Sequence, residues 1–288
     1  MTVKVEVKEG GVPHEKILYL GIGASLLLIY LTYVNVLLHT AWFAFFGGIA
    51  AVFALRWGSH TIKRLASYGI GTGVPSAGMI AFGSGIIGFM FATRFEYFWG
   101  GLLIPIIAVA AAAIIGWFDG IMAKNVLKMN IPVMISALVE MSVVGALTLL
   151  GFSAMLTGVF TFSGLASTQL VFFGLPLTTY ETSMIGGAIL AVIFIIGGIA
   201  IQHPFNACLG PSWEQDRMLM LATECGFLSM MPVAVISYAF IGFGPATFSL
   251  VVAAIGWFLT FSEYIKLSKR DAAAWLDAKP IIEPEAGH

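Results

Sequence analysis

Eight apolar runs constrain this chain more than any other feature. They lie at about 17–38, 40–57, 74–93, 100–118, 132–158, 183–201, 218–241 and 245–263. A helix needs about 20 apolar residues to cross the hydrocarbon core of a bilayer, and these runs are of that order. Composition agrees: of 288 residues, 59% are hydrophobic and 10% charged, with a mean hydropathy of +0.96. A water-soluble fold of this size cannot hide so much apolar surface, and a disordered chain needs the opposite balance. The reading is an all-α integral membrane protein with about eight transmembrane helices. Its organisation is a polar segment at 1–16, a polytopic domain at 17–263 and a tail at 264–288. Trp275 and Leu276 stand among charges in that tail and fit a short surface helix. A ninth apolar run, 164–177, is too short to cross and ends in Leu-Pro, which fits a re-entrant or interfacial piece. The surrounding stretch 158–181 carries no readable role.

Lysine and arginine orient the chain, because cytoplasmic loops carry the excess of both. With eight spans and the N-terminus inside, thirteen of the fourteen fall on the cytoplasmic side and Arg94 alone lies outside. One span more or fewer in the middle would reverse the later charges. Both termini are therefore expected in the cytoplasm, with the chain in the cell membrane. A net charge of −1 with no basic stripe excludes a nucleic-acid partner. The first sixteen residues lack the n-region, h-region and cleavage site of a secretory signal.

Small residues mark where helices meet. Ala108, Ala112, Gly116 and Gly120 recur every four residues, so they share one helix face and form a close-packing stripe. Gly47-Gly48, Gly186-Gly187 and Gly197-Gly198 fit the same role. Trp42, Trp57, Trp99, Trp117 and Trp257 lie near span ends, where an aromatic belt is expected. The chain also repeats itself at 40–93, 100–158 and 183–241, as a span, a polar loop and a returning span. Within the returning spans, Pro132 precedes Glu140 by eight residues and Asp216 precedes Glu224 by eight, while Pro75 precedes Gly83. The units run in one direction, which fits parallel internal repeats of helix pairs about an axis normal to the membrane.

Polar chemistry concentrates at a few places. Glu140 and Glu224 each lie about two turns into an apolar helix, where a carboxylate costs on the order of 2–3 kcal/mol. Each must be paired, protonated, or beside water or a cation, and no lysine or arginine is expected at that depth. Two readings stand. One is a sodium- or proton-handling carboxylate on an ion pathway, helped by oxygens such as those of Ser136, Ser142 and Thr223. The other is a protonated acid bonded between helices. The loop 202–217 holds His203, Asn206, Cys208, Glu214, Gln215, Asp216 and Arg217. Its His203, Cys208 and Glu214 match no zinc spacing, so no metal site is assigned. A surface for partner contact fits these residues better, with Asp216 capping the next helix. The loop 58–75, with Gly69, Gly71 and Gly73, lacks the strand and lysine of a phosphate cradle. It reads as a cytoplasmic hairpin with His60 solvated. No Ser-His-Asp set, paired-histidine helix or nucleotide fingerprint occurs, so the catalytic assignment is none.

The string Ala200–Met230 (AIQHPFNACLGPSWEQDRMLMLATECGFLSM) is long and specific. It resembles the C subunit of the membrane-bound tetrahydromethanopterin S-methyltransferase of methanogenic archaea. Trp57–Gly78 and Lys128–Leu138 resemble the same family. The resemblance implies a non-catalytic membrane subunit of a sodium-translocating complex that moves a methyl group from methyl-tetrahydromethanopterin to coenzyme M. It implies no cofactor on this chain, a corrinoid on a partner subunit, and sodium coupled at the level of the complex. The implied partners are sister membrane subunits, the corrinoid-bearing subunit and lipid, with three copies per complex. It assigns no role to Glu140 or Glu224. Two other readings are a stand-alone ion or small-solute carrier and a purely structural scaffold with both glutamates protonated and silent.

Overall fold

A computed structural model of the protein describes residues 12–68, 73–95, 101–159, 171–172, 175–176, 179–207 and 215–278. The described chain is a bundle of helices. They are α1 (His14–Leu31), the one-turn α2 (Val34–Leu37), α3 (Phe45–Ser67), α4 (Gly73–Thr93) and α5 (Ile104–Asn125). After α6 (Met134–Thr157) comes a two-residue pair of strands, β1 (Val171–Phe172) and β2 (Leu175–Pro176). The chain continues through α7 (Thr179–Ala207), α8 (Gln215–Ile241) and α9 (Phe243–Ala278). Most of the ninth apolar run lies outside the described residues.

Among the described residues, seven helical segments are long and apolar enough to cross a membrane by composition alone. The eighth expected span corresponds to α3. At 23 residues it is long enough, but Arg56, His60, Lys63 and Arg64 dilute its apolar character. It holds its place by packing: most residues between Gly47 and Leu65 are buried along it. The sequence pattern ends this span at 57 and makes 58–75 a loop; the helix instead runs to Ser67. Its last turns are polar because they face polar partners inside the bundle. In the same way α7 runs to Ala207 and α8 starts at Gln215, so every described residue of the loop expected at 202–217 is helical. The tail expected from 264 continues α9 to Ala278 without a break, rather than forming a separate surface helix.

Close contacts fix the helix directions. Ser25 bonds the carbonyl of Ala50 while His14 meets His60, so α1 and α3 are antiparallel. Gly47 lies against Gly151 and Met155, and Gly58 against Val144, so α3 and α6 are antiparallel. Gly48 meets Met230 and Gly226 meets Val52, which sets α8 antiparallel to α3. Val12 and Asp271 both meet the first turn of α8, through Gln215 and Arg217. Both ends of the described chain therefore lie at one face of the bundle, as an even number of crossings requires. At the other face, Asn35 ties three elements together. Its amide donates to the Gly158 carbonyl at the end of α6 (2.7 Å), and its oxygen accepts from the Phe43 amide (2.9 Å).

Helix α6 is the hub. In its most apolar window 83% is buried, against 17% for α9 and 28% for α5. Glycine makes this enclosure possible. A side-chain carbon at Gly145 would meet the Phe82 carbonyl, and one at Gly85 would meet Ser142. The expected stripe on α5 is real: Ala108, Ala112, Gly116 and Gly120 are all buried. A carbon at Gly120 would stand 2.8 Å from Ile135 Cα. Gly186-Gly187 departs from expectation, since a side-chain carbon at either position would meet nothing within 4 Å.

Candidate functional site

The first turns of α1, α6 and α8 meet the last turns of α3 at the face that carries both chain ends. Glu140 lies there, six residues into α6 and about 9 Å along it. The residue is 6% exposed. Four donors surround it. Oε1 accepts from His14 Nε2 (2.9 Å) and from the Arg64 guanidinium (3.3 Å). Oε2 accepts from Trp57 Nε1 (3.1 Å) and Thr61 Oγ1 (2.8 Å). A carboxylate offers about four lone-pair directions, and here each oxygen has two donors.

The sequence pattern predicts no cation at this depth. Arg64 reaches Glu140 because α3 continues ten residues past its expected end and runs antiparallel to α6. His60 is 8% exposed rather than solvated, packed against His14 with ring centroids 5.2 Å apart. Trp57 departs from the expected aromatic belt. It is 2% exposed, with its indole turned to Glu140. Trp42 and Trp117 fit the belt better, at 51% and 54% exposed. Residues 96–100, and Trp99 with them, lie outside the described set. Sequence reasoning thus missed His14, Trp57, His60, Thr61 and Arg64 as members of this cluster. A signal was present: Trp57, Thr61 and Arg64 recur at i, i+4 and i+7, one face of a helix, in a stretch that reads as span end and loop.

Glu224 sits nine residues into α8 and is 8% exposed. Among the described residues its donors are Trp257 Nε1 of α9 (2.5 Å) and the Cys225 thiol, at a long 3.6 Å. Thus both buried glutamates hold an indole from an antiparallel neighbour. They differ in what else surrounds them. The hydroxyls expected to help are turned elsewhere. Ser136 donates to the Val133 carbonyl, Ser142 to Ala81 and Thr223 to Leu219.

The residues expected to meet partners divide. His203 and Asn206 are exposed on the last turns of α7, and Asp216 is exposed in the first turn of α8. Asp216 is thus inside the helix rather than its cap. Arg217 turns inward, 3.7 Å from Asp271, which is 5% exposed and also bound by Arg270 at 2.9 Å. That cluster clips the end of α9 to the start of α8. Cys208 and Glu214 lie outside the described residues. Among the described residues, no group of three or more His, Cys, Asp or Glu is placed to hold a metal ion.

Comparison with known proteins decides the family. A model of the family described as the C subunit of tetrahydromethanopterin S-methyltransferase matches residues 2–281. This chain belongs to that family. Similar curated proteins carry the same name. The C subunit of the Methanosarcina mazei methyltransferase is 39% identical over 266 residues, covering 92% of this chain and 91% of its own. That of Methanothermobacter marburgensis is 34% identical over 264 residues, 91% of each chain. That of Methanocaldococcus jannaschii is 32% identical over 277 residues, 95% of each. Membership of this methyltransferase family and the helical bundle together account for the resemblance carried by Ala200–Met230.

Proposed function

We propose that this chain is a non-catalytic membrane subunit of a sodium-translocating complex that transfers a methyl group from methyl-tetrahydromethanopterin to coenzyme M. The observation that carries this reading is the family match across residues 2–281. The eight-helix bundle supports it, since a chain built this way supplies a membrane part rather than a pterin or corrinoid pocket. Its partners in this reading are sister membrane subunits and a subunit that bears the corrinoid. Three copies make up the complex in the cell membrane. The face with His203, Asn206 and Asp216 meets the cytoplasmic subunits.

Geometry separates the two glutamates in this role. A sodium ion needs oxygen ligands with spare lone pairs, as other hard cations do. Glu140 has its oxygens filled by hydrogen-bond donors and faces Arg64, so its part is to anchor α1 and α3 to α6. Glu224 has Oε1 on one indole and Oε2 on a weak thiol donor. We therefore assign Glu224, on the flank of α8 covered by α9, to the wall of the ion path. The test is Glu224→Gln in the complex reconstituted into liposomes. The variant assembles normally, and its methyl transfer loses its dependence on sodium. Equal sodium dependence in variant and wild type overturns this assignment. A chain that purifies alone and transports alone overturns the complex reading in favour of a carrier.

A further inference from the structure

Four side chains from four helices form a continuous line of hydrogen bonds from the rim of the bundle to Glu140. At the rim, the Gln215 side-chain nitrogen lies 3.0 Å from the Val12 carbonyl and 2.8 Å from His60 Nε2. A carbonyl can only accept, so Val12 identifies that nitrogen as the NH2 group. The NH2 group in turn makes His60 Nε2 an acceptor. A neutral imidazole carries one N–H, so that of His60 is on Nδ1 and donates to His14 Nδ1 at 3.1 Å. His14 then carries its hydrogen on Nε2 and donates to Glu140 Oε1 at 2.9 Å. Each hydrogen is placed by its partners, and all point from rim to carboxylate. One atom is left over. Gln215 Oε1 is buried and has no partner among the described residues.

We propose that this line is a relay that takes up one proton from water and reverses the direction of its two outer hydrogen bonds in doing so. The proton bonds to His60 Nε2. The hydrogen on His60 Nδ1 passes to His14 Nδ1. Two N–H bonds form and one breaks, so the line holds one proton more. His14 becomes an imidazolium with an N–H on each side, one to Glu140 and one to His60. The proton enters at the Gln215 end, which lies at the rim beside the exposed Val12, and reaches a His60 that is itself buried.

The surrounding charges fit this endpoint. From α3, Arg64 stands 3.3 Å from Glu140 Oε1, the same oxygen that His14 Nε2 bonds, so the added proton comes to rest on His14 beside a carboxylate already paired with a cation. Lys63 and Arg64 follow His60 by three and four positions on the same helix. Glu15 and Lys16 on α1, and Asp216 and Arg217 on α8, flank the entrance. After uptake His60 Nε2 donates instead of accepting. The Gln215 amide must then turn its oxygen, the leftover atom, toward His60. An oxygen in that place repels the Val12 carbonyl, which loses its donor. Charging His14 inside the bundle therefore loosens the start of α1 at the rim.

The test uses the full chain in its complex with 15N-labelled histidine. Five histidines make assignment by single substitution practical. The sample is acidified from about pH 8 to about pH 5, either side of the ordinary imidazole value near 6.5. In the wild type the His60 hydrogen moves from Nδ1 to Nε2 and His14 gains a second N–H. Exchange protection at Lys16 and Ile17, whose amides bond the Pro13 carbonyl, falls about fivefold, which is what losing one ordinary hydrogen bond allows. Gln215→Glu puts a pure acceptor opposite His60 and fixes the Nε2–H form at both pH values. Glu140→Gln removes the counter-ion and keeps the Nδ1–H form at both. A wild-type His60 that holds its hydrogen on Nδ1 throughout overturns the relay, and needs no variant. So does a Glu140→Gln chain that switches as the wild type does.

Discussion

Glu140 is held by donors from two helices, and each donor has a measurable worth. A hydrogen bond to a charged group contributes about 1.5–3 kcal/mol, and a buried charge left short of partners costs more than a neutral one. Trp57→Phe removes the indole N–H from Oε2 while keeping an aromatic ring in the buried slot. We expect it to destabilise the chain by about 2 kcal/mol, read as a lowered midpoint of unfolding in detergent. Trp257→Phe removes the shorter bond to Glu224 but at a half-buried position on the outermost helix, so its loss is the smaller. An equal effect of the two would mean that enclosure does not set the strength of these bonds. The reading of an aromatic belt fails for Trp57 for a physical reason. An indole near a span end can face outward to head groups or inward to a carboxylate, and residue type alone does not choose.

Helix spacing is legible in the sequence where it depends on a repeating side chain and illegible where it depends on a neighbour. The four-residue stripe on α5 predicts a buried face, and every member is buried. Gly186-Gly187 carries the same signal, yet a side-chain carbon there would meet nothing. This contrast gives a direct test. Gly145→Ala forces a methyl group against the Phe82 carbonyl, a backbone atom that cannot swing aside. Overpacking of this kind costs about 1–3 kcal/mol. Gly186→Ala meets no atom within 4 Å, so its effect on stability is neutral or slightly favourable, since alanine is the better helix former by about 1 kcal/mol. Thermal unfolding of the two variants side by side checks the pair. The ends of α3, α7 and α9 are misplaced by sequence because polar residues read as the end of a helix. In α3 they mark the place where a helix stops needing lipid and starts meeting His14, Glu140 and Gln215.

For the whole molecule, span number and class follow from the apolar runs, whereas the meeting of distant polar residues does not. His14 and Glu140 are 126 positions apart, and Gln215 and His60 are 155. Only the assembled bundle makes them neighbours. The charge bias still gives a prediction about the molecule as a whole. Leu127, after α5, belongs to the face that carries both ends, whereas Phe243, at the start of α9, belongs to the other. Both are well exposed, at 67% and 77%. With Cys208 and Cys225 replaced by serine, Leu127→Cys should react with a membrane-impermeant thiol reagent only in inverted vesicles. Phe243→Cys should react only in intact cells. The reverse pattern would turn the protein over in the membrane.

The enclosure of α6 has a consequence for synthesis. All four groups that hold Glu140 come earlier in the chain, at His14, Trp57, Thr61 and Arg64. By the time the ribosome delivers α6 to the insertion machinery, its carboxylate has company waiting in the bilayer. Glu224 has the opposite history, since Trp257 follows it on the next helix. Helix α8 must enter with its acid unattended and wait for α9. The first half of the chain can therefore complete the shell of Glu140 during translation, whereas that of Glu224 waits for the last helix.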